Sequence, residues 1–151
     1  MGTKKSTQAT AADMEALAEA LRDTVGKFVR SVRAEAGTPT SAQSETLAYL
    51  ERSGPVSIAA LAESRGVKHQ SMRLVTSKLE EAGLIAMEPD PKDGRSYLVT
   101  LTRQGRHENA KARTARTRWL AEALSHHTSA QEREVLQNAL LILQRLTVLD
   151  T

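Results

Sequence analysis

The chain contains no cysteine. Disulfides, thiolate zinc sites and thiol redox sensing are therefore excluded as ways of holding or controlling it. Aromatics are almost as scarce, with one Trp, two Tyr and one Phe in 151 residues. A core must be assembled from Leu, Val, Ile and Ala, which points to helices packed on helices. No apolar run approaches the roughly 20 residues that cross a bilayer. The opening MGTKKSTQATAAD carries lysines with no apolar stretch behind them, so it does not read as a secretory signal. There is no Gly-rich phosphate loop, no Gly-x-Ser-x-Gly elbow and no convincing acid pair, which sets catalysis aside. The expectation is a cytoplasmic protein with no cofactor and no membrane partner.

What is present is a globular balance, 40% apolar and 26% charged. Net charge is only +3, but it is unevenly spread. Residues 1–56 hold 7 basic and 7 acidic side chains, residues 57–118 hold 12 and 7, and residues 119–151 hold 2 and 4. The middle of the chain is where a polyanion would be gripped.

Hydrophobic spacing organises the rest. Met14, Leu17, Leu21, Val25, Phe28 and Val32 recur at helical intervals and predict one long first helix, ended near Gly37 and Pro39. A second helix starts near Ser41, with Leu47 and Leu50 facing inward, and stops at Gly54-Pro55. Ser57 is a good N-cap for a short third helix that Gly66 terminates. Only Val67 separates that stop from a fourth helix, Lys68 to about Ala82. Two helices joined by a tight Gly-containing turn form a helix-turn-helix. Residues 84–88 and 96–101 then read as strands flanking the turn formers PDPKDG, a hairpin that makes a wing. Thr102 opens a helix to about His127, and Ser129 with Glu132 forms a capping box for a last one. The fold class expected is mainly α with a small β-hairpin wing, six helices in all.

On a helical wheel, Met72, Val75 and Leu79 of the fourth helix fall on one side and should pack inward. His69, Gln70, Ser71, Arg73, Leu74 and Ser77 are left facing out. That set suits base edges: Arg73 can donate twice to guanine, Gln70 can bond bidentately to adenine, and Leu74 can touch a thymine methyl. Ser57, Lys68 and Lys78 are better placed for phosphates. Lys92 and Arg95 bracket the hairpin tip, where a cation can enter the minor groove. Asp93 beside them is expected to orient the Arg95 guanidinium through paired hydrogen bonds.

These residues, in this order, resemble the MarR family over about residues 13–148. The carriers are Thr40, Gln43, Leu47 and Leu50, then the stretch SIAALAESRGVKHQSMRLVTSKLEEAGLI. The wing DPKDGRSYLVTLTRQG follows, with Asp90, Asp93, Arg95, Leu101, Thr102 and Gly105. The resemblance implies a homodimeric transcriptional regulator, a repressor that binds a pseudo-palindromic stretch of double-stranded DNA. The domains expected are a disordered tail at 1–12, a dimerisation helix at 13–37, a winged helix-turn-helix DNA-binding unit at 40–101, and C-terminal helices at 102–151 completing the dimerisation region. The last helix agrees independently, because its apolar residues cover more than one face. The family also implies a small aromatic or phenolic ligand between dimer base and winged unit. Arg30, Arg33 and His107 are the cations that could hold its carboxylate.

Three positions depart from the family pattern. Lys68 stands where a Ser or Thr cap is usual, Arg73-Leu74 shifts the reading arginine by one place, and Met87-Glu88 replaces a basic pair. That last change supports a second reading, a winged-helix module that binds a protein partner or has lost DNA binding. Metal regulation is not expected: His126 and His127 point about 100° apart on a helix and do not chelate together.

Overall fold

A computed structural model describes residues 10–148. In chain order it consists of α1 (Ala11–Glu35), α2 (Ser41–Ser53), α3 (Ile58–Ser64), α4 (His69–Glu81), β1 (Ile85–Asp90), β2 (Asp93–Leu101), α5 (Arg103–His127) and α6 (Ala130–Leu146). The expected six helices and hairpin are all there.

The helix starts are set by side-chain caps. Thr10 and Asp13 form a reciprocal capping box for α1, so ordered structure begins earlier than the expected tail at 1–12 allows. The reason is local: Thr10 satisfies an orphan N–H that the apolar stripe alone does not reveal. Residues 1–9 of that tail, and Leu149 of the last apolar stripe, lie outside the described residues. Ser57, Thr102 and Ser129 cap α3, α5 and α6 as their positions predicted. At the other ends, Gly37, Gly54, Gly66 and Gly83 all take positive φ, the backbone turn that a side chain opposes.

The core lies in the segment from α2 to β2. Leu47 and Leu50 meet Leu61, Met72 and Leu79, and Ile85, Val99 and Leu101 close it from the hairpin. The strands are antiparallel, with Ile85 opposite Leu101 and Met87 opposite Val99. They run further than expected, to Asp90 and from Asp93, so only Pro91-Lys92 remains as the turn. Turn-forming residues disguised that extension. Pro89 is tolerated because it precedes an irregularity in the pairing at the exposed end. A short third rung joins Val56 to Val99, with both backbone hydrogen bonds made.

The remaining helices bury little. α1 buries only Val32, and α6 buries no residue at all. α5 touches both α1 and α2, and so connects the packed unit to the outer helices.

Candidate nucleic-acid interface

α4 presents one face outward because its other face is captured by the core. Met72, Thr76 and Leu79 are buried, and the Thr76 hydroxyl donates back to the Met72 carbonyl at 3.0 Å, so no polar group is stranded. Helical spacing then forces the other face outward. His69, Gln70, Ser71, Arg73, Leu74 and Ser77 are all exposed. Leu74 is 61% exposed on this otherwise polar face.

The N-terminus of α4 has no side-chain cap at Lys68. Its first-turn N–H groups therefore need water or an external anion. Lys68 and Lys78 are exposed at opposite ends of the helix. Ser57 is half-buried, and its hydroxyl oxygen is already accepting from the Ala60 N–H at 3.1 Å. Its proton remains free to donate to a phosphate.

Between α4 and the start of the hairpin lies a shallow hollow of about 470 Å³, lined by Ile58, Gln70, Arg73, Leu74, Ser77, Glu80 and Met87. Ile58, Glu80 and Met87 were not among the sequence candidates. Met87 is half-buried and packed against the core. It stands there as a packing residue, and the apolar floor it makes beside Leu74 is compatible with base methyl groups. Glu88, its neighbour, is exposed.

At the wing, Lys92 and Arg95 are exposed and flank the tip. Asp93 behaves differently from expectation. Its carboxylate accepts from the Ser96 hydroxyl at 2.7 Å and from the backbone N–H of Arg95 at 3.1 Å. Those two bonds, the Ser96 one foremost, hold its pKa below the ordinary value. Asp93 thus braces the backbone of the turn and leaves the Arg95 guanidinium free. The correction follows from geometry: an aspartate two residues before an N–H closes a local ring more readily than it reaches an outward-pointing guanidinium. Asp90 does the same on the other side, accepting from the Lys92 N–H at 2.8 Å.

Two hollows lie beside the outer helices. One, about 370 Å³, is lined by Thr38, Ser44, Leu47, Asn109 and Ala112 among others. The second, about 260 Å³, lies between α1 and α5 and is lined by Phe28, Val29, Val32, Arg33, Arg116, Thr117 and Leu120. Arg33 Nε and Nη1 and Arg116 Nη1 are buried there without hydrogen-bond partners. Burial first, then the nearby charges of Arg33 and Arg113, lower the pKa of Arg116. An arginine nevertheless keeps its charge, so the pair brings positive charge to the wall of this hollow. Arg116 was not expected from sequence. Arg30 and His107 are exposed and line neither hollow.

A model of the MarR family matches residues 38–96. An HTH-type transcriptional regulator of Mycobacterium leprae is 36% identical over 97 residues, 64% of this chain and 67% of the relative. A Pseudomonas aeruginosa crystal structure of a protein described as a transcriptional regulator is 28% identical, with a TM-score of 0.78 over 93% of this chain and 99% of the other. Wild-type MarR of Escherichia coli shares the fold at 20% identity, with a TM-score of 0.60 over 78% of this chain and 95% of the other.

Proposed function

The chain belongs to the MarR family of helix-turn-helix transcriptional regulators, and from that premise we propose that it represses transcription as a homodimer on a pseudo-palindromic operator. It is a DNA-binding regulator with a winged-helix fold. The observation that carries the reading is the segregation of α4. Every residue suited to a base edge is exposed on one face, and the opposite face is locked in the core. Gln70, Arg73 and Leu74 read bases, with His69, Ser71 and Ser77 beside them. Lys68, Lys78 and Ser57 hold phosphates, and Lys92 and Arg95 enter the minor groove from the wing.

The uncovered apolar surface supports the dimer. Leu17 of α1 is 60% exposed, and Leu140 and Leu141 of α6 are 55% and 60% exposed. Such apolar surface on two outer helices needs a partner, and a second copy supplies the same residues by symmetry. A dimer places two α4 helices in successive major grooves, roughly 34 Å apart. The apolar hollow at Arg33 and Arg116 suits a small aromatic or phenolic anion, whose binding would favour a spacing that misfits DNA.

A gel shift against the DNA flanking the chain's own gene, at two salt concentrations, tests this. With about four phosphate contacts per half, log K should fall against log salt with a slope near −7. A slope near zero would argue for a protein partner instead.

A further inference from the structure

Glu51, near the C-terminus of α2, was not singled out by sequence, and the family assignment gives it no role. In the structure one carboxylate oxygen, Oε2, takes two hydrogen bonds from α5. Asn109 donates to it through Nδ2 at 2.8 Å, and Arg113 through Nη2 at 2.9 Å. Asn109 is 3% exposed, so its amide has no water to fall back on. Arg113 is 62% exposed and adds an ion pair from outside. Among the described residues these are the side-chain hydrogen bonds that join α2 to α5.

Their position gives them a mechanical role. α2 is packed to α4 through Leu47, Leu50 and Met72, and the fully buried Thr46 lies against the Met72 sulfur while its hydroxyl donates to the Ala42 carbonyl at 2.8 Å. A tilt of α2 is therefore a tilt of the reading helix. α5 leads in the other direction, to α1. Apolar contacts resist separation but permit sliding, whereas a carboxylate bonded to the buried Asn109 amide, with Arg113 pairing to it from outside, favours one angle. We propose that Glu51 is a positioning residue that fixes the angle between the reading unit and α5, and so sets the half-site spacing that a dimer accepts. This rests on the dimeric reading above.

The test uses the full chain and a duplex of about 30 base pairs, carrying the site that the chain itself selects from random DNA. Companion duplexes have the half-sites moved one base pair closer or further apart, and another has random sequence. Glu51→Ala should lose about tenfold in affinity for the selected site. Its penalty for altered spacing should shrink to within about twofold, with random-sequence binding unchanged. Arg113→Ala, which leaves the buried Asn109 bond intact, should show the same flattening with a smaller loss, and keeps the test available if Glu51→Ala folds poorly. A spacing penalty that survives in both variants overturns the proposal. So does an equal loss on all duplexes with a lowered Tm, which would make Glu51 merely structural. A wild-type chain indifferent to spacing would overturn the dimeric reading itself.

Discussion

Gly105 offers a sharp test of how the wing is joined to α5. A Cβ built on it would lie 2.0 Å from the Leu84 carbonyl oxygen, 2.9 Å from its carbon and 2.8 Å from Leu101 Cδ1. Ordinary contact begins at 3.4 Å, so the Leu84 oxygen would have to retreat by about 1.4 Å. It is not free to do so. Leu84 O accepts from the Thr102 N–H at 3.2 Å, and the Thr102 hydroxyl donates to Gly83 O at 2.7 Å while accepting from the Gly105 N–H at 2.9 Å. No rotamer relieves a clash with backbone. Overpacking costs about 1–3 kcal/mol or more and a lost hydrogen bond about another 1, against up to about 1 gained from alanine's helix propensity. Gly105→Ala should therefore lose about 1–3 kcal/mol, a fall in Tm of about 2–12 °C for a domain of this size. Gly94→Ala is the control, because its Cβ would meet nothing within 4 Å. It should change stability by less than about 0.5 kcal/mol. Denaturant melts of the two variants decide the matter. A Gly105→Ala protein as stable as the control would refute the close approach of α5 to Leu84.

Other consequences are as direct. Arg73→Ala should cost about 1–3 kcal/mol of operator binding and relax specificity at one base position, read by competition with single-base variants of the site. Arg95→Ala should weaken binding and reduce the salt slope by about 2, one cation being lost from each half of the dimer, which a salt titration of affinity measures. Glu132, bonded to the backbone N–H and hydroxyl of Ser129, has its pKa lowered. A carboxylate depressed in the folded state stabilises above its ordinary value of 4.5 and loses that contribution as pH falls through the lowered one. The Tm difference between the native chain and Glu132→Ala should therefore be full at neutral pH and close in acid, when melts are followed from pH 6 to 3.

Much of the fold could be read from the sequence because its signals are local. The stops at Gly37, Gly54, Gly66 and Gly83 each demand a left-handed residue, and the caps at Ser57, Thr102 and Ser129 each satisfy an N–H three residues on. The α4 wheel was legible for the same reason, with Met72 and Leu79 buried as spacing required. What escaped depends on residues distant in sequence. Asn109 reaches Glu51 across 58 positions, and Arg33 meets Arg116 only because α1 and α5 lie together. Met87 read as a lost positive charge, yet strand pairing sets it opposite the fully buried Val99 and turns it onto the core. Asp93 was misjudged because a side-chain partner was sought where a backbone one was nearer.

The central claim concerns two copies of one exposed helix face acting on one duplex. Selection of binding sites from a pool of random double-stranded DNA by the full chain addresses it most directly. The account predicts enrichment of an inverted repeat with half-site centres about 10–10.5 base pairs apart. Recovery of an unrepeated site, or of no sequence at all, would contradict it.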